Sequence, residues 1–585
     1  MRLTWTRELP EQPELREQWN ALVSQMEKPE VFYTWEWAAA VVRAYKSGVA
    51  PWIATAYEGD ELVGVAALAK SSETEAVFLA GTTADYCDFI SRPAQRKEFV
   101  AQVLHALREA GTVTVVLANL PADSATVAAL EGNSSFKTFL RTGYICAQVR
   151  LGSEEERRSL TDSLLKKKMF RRSINTLQRI GPVTLQHDRG AGLERGVVER
   201  FCVTHVARFL FTGRISNLVS AQRREFLREL AQLLAEKGWF DLVTLRAGTW
   251  VLASNYGFRF RGSWFWYQPT IVNKFEDLSP GYCLLAKMVE DASRDPEAQL
   301  VDLGLGVEGY KERFANAQRT TLHATLSRSS INLWRVRGRY RAAQAIKKRP
   351  RLESIARRAQ GAVRVGRKRA QQNGWANMLA WAGRRLRRSI VSADEVLLFQ
   401  WRSGTGNSGQ SEGFVPLTWE ILAAAAMRYS EDSETMDYLL RSAARFRSND
   451  RAYALVGGDG VAQHFAWVAP YEGFVMAELS EVLHAPSATS VMIFDCWTPR
   501  ELRGRGLYAH MIDQLARHLS AAGRDVWIFS AAANPASRAG IEKAGFQMQA
   551  SLFRRKVLRW AKTRQKSHQA PEREQSDKLS NEPVR

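Results

Sequence analysis

The chain has 585 residues and a mass of 66.0 kDa, too long for one hydrophobic core, so three or four domains are expected. Its 45% hydrophobic and 24% charged residues are those of a globular protein and exclude a fibrous, fully disordered or membrane-embedded chain. The net charge of +21 is concentrated: between Arg335 and Arg388, eighteen Lys or Arg stand against the single acid Glu353, which argues against a general nucleic-acid face elsewhere.

The five cysteines (87, 146, 202, 283 and 496) include no C-x-x-C pair, and the nine histidines show no ligand spacing. Neither a disulfide framework nor a metal site is expected, and a reducing compartment is. The opening Met1-Arg-Leu-Thr-Trp-Thr-Arg-Glu8 lacks the apolar core of a signal peptide, and no apolar run reaches membrane-spanning length. The expected location is cytoplasmic, with a peripheral position on the inner face of the membrane as its variant.

Residues 1–150 alternate short helical and strand patterns. Phe32 to Trp37 opens a helix reaching Tyr45, and Trp52–Tyr57 and Leu62–Ala69 form a hairpin turned by Glu58-Gly-Asp-Glu61. Val77–Ala80 is a third strand. Asp85, Tyr86 and Asp88 then crowd into one turn, where paired carboxylates suit acid–base work and capping of the next helix competes with it. Residues 151–334 repeat the organisation. Ser163–Ile180 reads as one basic helix carrying Lys166, Arg171 and Arg172, either a solvated face or a site for an acidic or phosphorylated ligand. A helix capped by Ser220 runs to Glu236, followed by strands at Phe240–Arg246, Trp250–Phe260 and Ser263–Tyr267. Leu278-Ser-Pro-Gly281 caps a helix reaching Ala292. Leu300–Gly306 is a strand ending in glycines, and Gly309-Tyr310-Lys311 opens another helix, an arrangement resembling a ligand-binding edge.

Residues 335–393 form an Arg-rich connector with a helical pattern. A solvated linker, a surface for anionic lipid or an acidic partner, and a nucleic-acid contact compete for it. From 394 the alternation restarts: a strand at Val396–Arg402, helices at Thr418–Arg428 and near Met436–Ala444, and a hairpin over Arg451–Val456 and Ala462–Val468. Ser490–Cys496 is a strand, Arg503-Gly-Arg-Gly506 a glycine-rich turn, and Met511–Leu519 lies on a helix. Such a turn presents backbone N–H groups and a helix dipole to a phosphate. Asp525–Ser530 and Gln547–Leu558 are the closing strands, and 562–585 reads as a disordered tail.

Two motifs give the segment 394–561 its resemblance. Arg503-Gly-Arg-Gly506-Leu-Tyr508 is similar to the phosphate loop of the GNAT N-acetyltransferase superfamily, and Asn534 through Glu542-Lys-Ala-Gly-Phe546 is similar to its second signature. The resemblance implies acetyl-CoA or another acyl-CoA as cofactor, with no metal. Phe494, Cys496 and Trp497 would lie along the pantetheine arm. Arg503, Gly504, Arg505, Gly506, Leu507 and Tyr508 would hold the pyrophosphate, with Asn534 and Ser537 beside them. Many members carry a tyrosine just before Glu-Lys as the acid for the departing thiolate; this chain has Ile541 there, and Tyr508 is the remaining phenol.

Residues 1–334 resemble the CelD/BcsL-type acetyltransferases of cellulose and exopolysaccharide biosynthesis. Asp85-Tyr-x-Asp88, the basic run Lys166–Arg172, Ser279-Pro-Gly281, Asp302-Leu-Gly-Leu-Gly306 and Gly309-Tyr-Lys311 carry this likeness. It implies a tandem pair of GNAT-like halves, 1–150 and 151–334, and with 394–561 an α/β (α+β) chain of three GNAT-like mixed-sheet modules. Candidate proton carriers are Asp302, Glu308, Asp85 and Asp88 in the tandem pair, and Asp495 with Tyr508 in the third module. Candidate acceptor contacts are Tyr86, Lys166, Arg171, Arg172, Tyr310 and Lys311. The expected activity is N- or O-acyl transfer to a sugar or polysaccharide precursor. A FemAB-like aminoacyl transferase and a non-catalytic acetyl-CoA-binding module docked on a synthase are the alternatives.

Overall fold

The computed structural model describes all residues except 47, 191, 307, 348–390, 403–412, 449, 480, 558–559 and 568–585. The chain divides into two compact units, Met1–Arg357 and Arg358–Arg585, and both are mixed α/β with a mixed sheet. The connector between Lys347 and Val391 lies outside the described residues.

The first unit is built on thirteen strands: β1 (Arg2–Thr6), β2 (Ala50–Glu58), β3 (Glu61–Ser72), β4 (Glu75–Phe78), β5 (Ile90–Ser91), β6 (Thr114–Pro121), β7 (Lys137–Arg150), β8 (Val183–Asp188), β9 (Phe240–Ala247), β10 (Trp250–Phe260), β11 (Ser263–Ile271), β12 (Leu300–Leu305) and β13 (Ala317–Ser327). They run in the order β1-β2-β3-β4-β6-β13-β7-β12-β11-β10-β9-β8, with β5 on β3. The named strand pairs are antiparallel except β4–β6 and β11–β12. The sheet is therefore two similar halves with their inner strands exchanged. β7 ends the first half in sequence yet pairs with β12, and β13 ends the second yet pairs with β6. β9 and β10 are buried on both faces, which explains why Phe240–Phe260 reads as nearly continuous apolar and aromatic sequence.

Two readings of this unit are corrected. Ser163–Ile180 is not one helix but two, Glu154–Leu165 and Lys168–Gln178. Leu164 and Phe170 both enter the core at 2% and 5% exposure, but six residues apart they differ by about 240° around a straight helix, so the chain breaks between them. Gly309–Lys311 opens no α-helix: a single 3-10 turn, Lys311–Arg313, leads to β13, because Phe314 is drawn into the core and Ala317 must already be in the sheet.

The second unit has strands β14 (Val391–Trp401), β15 (Phe414–Pro416), β16 (Arg451–Val456), β17 (Ala462–Pro470), β18 (Val475–Met476), β19 (Glu481–Val482), β20 (Ser490–Trp497), β21 (Asp525–Ala531), β22 (Phe546–Val557) and β23 (Trp560–Ser567). The main sheet runs β15-β16-β17-β20-β21-β14-β22-β23, so the chain enters in the middle of it, and β18–β19 form a separate hairpin. One face is packed by the helices Leu507–Ala521 and Pro535–Lys543 around Met511, Leu515 and Ile541, and the other by Tyr471, Met476, Leu479 and Leu483. β23 continues the ladder of β22 to Ser567, so ordered pairing extends past Lys562, where the sequence reads as tail.

Candidate functional site

In the second unit β20 and β21 are parallel neighbours only from Ser490↔Asp525 to Ile493↔Ile528. Beyond that register β20 bulges: Phe465 of β17 faces Trp497 and Trp467 faces Phe494, so Asp495 and Cys496 together oppose Ala466. Asp495 takes a left-handed φ of 44°, uncommon for a residue with a side chain and a mark of a shaped site. A cavity of about 1400 Å³ opens here, lined by Phe494–Thr498 on one side, Ile528–Ala531 on the other, and the glycine turn with the start of the next helix at one end.

That end is an anion cradle. Gly504 and Gly506 have φ of 81° and 78°, and a methyl group placed on either meets nothing within 4 Å, so the space in front of the turn is open. Gly506 is the N-cap of the helix Leu507–Ala521 and brings no side-chain cap; the first N–H groups and the positive dipole end are left for a ligand. Arg503 is anchored, its Nε on the Thr498 carbonyl at 3.1 Å and its guanidinium 4.9 Å above the Trp497 ring. Arg505 reaches only back to the Glu501 carbonyl at 3.5 Å. Their charge therefore supports the turn while the backbone does the cradling. Asn534 caps the helix Pro535–Lys543 by accepting from the Ser537 N–H at 3.1 Å.

His464, which the sequence gave no reason to single out, also lines this cavity. It is 1% exposed; Nδ1 shares a hydrogen bond with the Thr498 hydroxyl at 2.7 Å, and buried Nε2 has no partner within the protein. Burial pushes its pKa down to about 3, so the ring is neutral. A buried ring nitrogen left unsatisfied is costly, and its place beside the turn fits a ligand that completes it. The Tyr508 ring lies 5.7 Å from it, with its hydroxyl 3.2 Å from Ser537 Oγ. Burial raises the phenol pKa, so it stays protonated.

Toward the bulge, Asp495 Oδ2 accepts from Arg445 at 2.5 Å, and Arg445 lies 4.9 Å over both Trp467 and Phe494. This pair keeps a carboxylate next to the point where the strands part. Burial raises the Cys496 pKa, so the residue is a thiol rather than a nucleophilic thiolate. Trp497 stacks on Tyr438, with ring centroids 5.2 Å apart and planes at 11°. Ile541 is fully buried and contributes no acid.

The candidates of the first unit divide. Asp302 accepts from Tyr86 Oη at 2.8 Å, Gln148 Nε2 at 2.7 Å and the Gly304 N–H at 2.8 Å. Asp85 lies against the same bend: a methyl group on Gly304, whose φ is 72°, would stand 2.8 Å from Asp85 Oδ2. Burial, aided by the charge of Asp302, pushes Asp85 up to about 7, while Lys311 acts in the opposite sense. Lys311 is 5% exposed, with Nζ 3.3 Å from the Leu305 carbonyl and 3.2 Å from Glu308 Oε2. Tyr310 Oη accepts from Trp266 Nε1 at 3.2 Å. Asp85, Tyr86, Asp302 and Lys311, distant in sequence, are thus one cluster able to hold a proton. Asp88 is engaged elsewhere, by Arg96 at 3.3 Å, Ser124 at 2.6 Å, Thr126 at 2.5 Å and the Phe89 N–H at 2.8 Å. Lys166 pairs with Asp162 at 2.6 Å on an open helix face, and Arg171 and Arg172 are exposed.

Residues 166–312 match the family model of an acetyltransferase (GNAT) domain. No curated protein matches the chain. Among solved structures, FemX is similar at 12% identity, with 57% of this chain and 99% of that chain covered and a TM-score of 0.40. L-PGS from Bacillus licheniformis is similar at 11% identity, with coverage of 56% and 94% and a TM-score of 0.38. A tandem GNAT protein from the clavulanic acid biosynthesis pathway is similar at 12% identity, with coverage of 56% and 100% and a TM-score of 0.34.

Proposed function

We propose that the protein is an acyl-CoA-dependent acyltransferase that holds its cofactor in the cleft between β20 and β21. The observation that carries this reading is the parting of two parallel strands directly before an uncapped, glycine-led helix. The acetyltransferase (GNAT) match over 166–312 supports the reaction class; it lies in the first unit, so the assignment of the cofactor to the second rests on this geometry.

An acyl-CoA supplies a thioester carbonyl that a nucleophilic amine or hydroxyl attacks. The N–H groups of the turn bind phosphate oxygens, and His464 Nε2 supplies a further hydrogen bond at that end. β20 runs back from the turn toward its bulge, which puts the acyl end near Asp495. There the carboxylate accepts the acceptor's proton, Arg445 keeps it ionised and in place, and Tyr508 is the protonated phenol of the cleft. The acceptor we assign is a sugar amine or hydroxyl of a polysaccharide precursor. A second reading, a non-catalytic acyl-CoA-binding module, is favoured by the buried Ile541 at the place where the superfamily's acid stands.

The test is thiol release by the full chain from acetyl-CoA over a panel of amino sugars and glycans. Asp495→Asn should lower kcat by roughly 10²-fold or more with the KM for acetyl-CoA unchanged. Acetyl-CoA binding without thiol release across the panel would favour the non-catalytic module.

A further inference from the structure

The last helix of the first unit, Ser330–Lys347, contains Arg335, Arg337, Arg339, Arg341 and Lys347 and no acidic residue. One side of it is spoken for. Leu333 is buried, the Tyr340 ring lies 6.2 Å from Phe139 with Arg141 5.5 Å above it, and Arg337 lies 5.2 Å over Phe139. At about 100° per residue, Ile331, Trp334, Arg335, Gly338, Arg339, Arg341, Ala342 and Ala345 fall on the opposite arc. Trp334 is 74% exposed and Ile331 64%, and Arg335, Arg339 and Arg341 are exposed with them. The middle of this arc is apolar and small, and its two margins are guanidinium groups.

We propose that this outer face rests on a membrane surface rich in anionic lipid. Tryptophan favours the depth of the headgroups, where its ring is in apolar surroundings and its N–H stays wet, and arginines at the margins of the strip meet lipid phosphates. A polyanion such as nucleic acid would engage the arginines but gives no reason for an exposed Trp–Ile strip between them. The charge continues around the start of the helix. Lys137 bonds the Ser330 hydroxyl and, with Arg108 and Arg328, lines a cavity of about 960 Å³ in which Glu131 is the one acid. Among the described residues no helix is long and apolar enough to cross a membrane, so the contact is peripheral. This inference does not depend on the acyltransferase reading.

The experiment is co-sedimentation of the full chain with vesicles of phosphatidylcholine alone or mixed with phosphatidylglycerol, in low and high salt. Binding is expected only with phosphatidylglycerol and should fall in high salt. Joint Arg335→Glu, Arg339→Glu and Arg341→Glu replacement should lower partitioning by roughly 10²-fold or more, and Trp334→Ala should lower it several-fold, with the circular dichroism and melting of the fold unchanged. The cationic stretch after Lys347 is intact in both variants, so vesicle binding equal to wild type would overturn the proposal. So would equal binding to neutral vesicles, or displacement from anionic vesicles by duplex DNA that the triple variant binds less well.

Discussion

At the scale of single residues, the cleft differs most from its sequence reading at His464. A lone histidine within Ala462–Pro470 has no motif to announce it, and only the fold puts it beside the glycine turn with one ring nitrogen bonded to Thr498 and the other unsatisfied. A hydrogen bond from it to a charged ligand is worth about 1.5–3 kcal/mol. His464→Phe should therefore weaken acetyl-CoA binding by roughly 10- to 100-fold while leaving the binding of pantetheine, which has no diphosphate, unchanged; equal weakening of both would show that the ring serves only packing. In the first unit Asp85 makes a pH prediction. Its folded pKa of about 7 stands above the ordinary 3.8, so the folded state holds the proton longer. Its contribution is complete below about pH 4 and is lost as pH rises through 7. Asp85→Asn copies the protonated form, so thermal melting should show its advantage over wild type growing from pH 4 to pH 8, by a few kcal/mol at most. An advantage independent of pH would contradict the buried-carboxyl account.

At the scale of elements, the helices Leu507–Ala521 and Pro535–Lys543 meet at Gly540. A methyl group there would lie 2.6 Å from the Tyr508 ring, and that ring is held between Ser537 and His464. Gly540→Ala should cost about 1–3 kcal/mol of stability and shift Tyr508, which urea melts and acetyl-CoA titration would register together; unchanged melting would mean the two helices have slack. Much of this region was legible in the sequence, because glycine spacing, an Asn cap and a strand-turn-helix pattern are local signals. The bulge at Asp495 was not, since an extra residue in a strand shows only against its partner. The clustering of Asp85 with Asp302 was carried by the ordering of short motifs, but which carboxylate meets which donor depends on strand exchange, and that places Asp88 with Arg96. The single-helix reading of Ser163–Ile180 failed because periodicity does not report that Leu164 and Phe170 seek the same core. Likewise Gly309–Lys311 has the look of a helix start, and the demand of β13 for the following chain decides otherwise.

At the scale of the whole molecule, the two units share a mixed-sheet design but not the cofactor device. In the first, the β11–β12 register ends at Phe265↔Asp302, Asp85 lies against the bend that follows, and a 3-10 turn stands where the second unit has a fifteen-residue helix. Only the second joins parted strands to positive-φ glycines with open space before them. The account therefore predicts one acyl-CoA site per chain. Isothermal titration of the full chain with acetyl-CoA should give a stoichiometry near one, and Gly506→Trp, which fills the cradle and forces a bulky residue to a φ of 78°, should abolish it. Two equivalents bound, or undiminished affinity in the Gly506→Trp chain, would contradict the placement of the cofactor between β20 and β21.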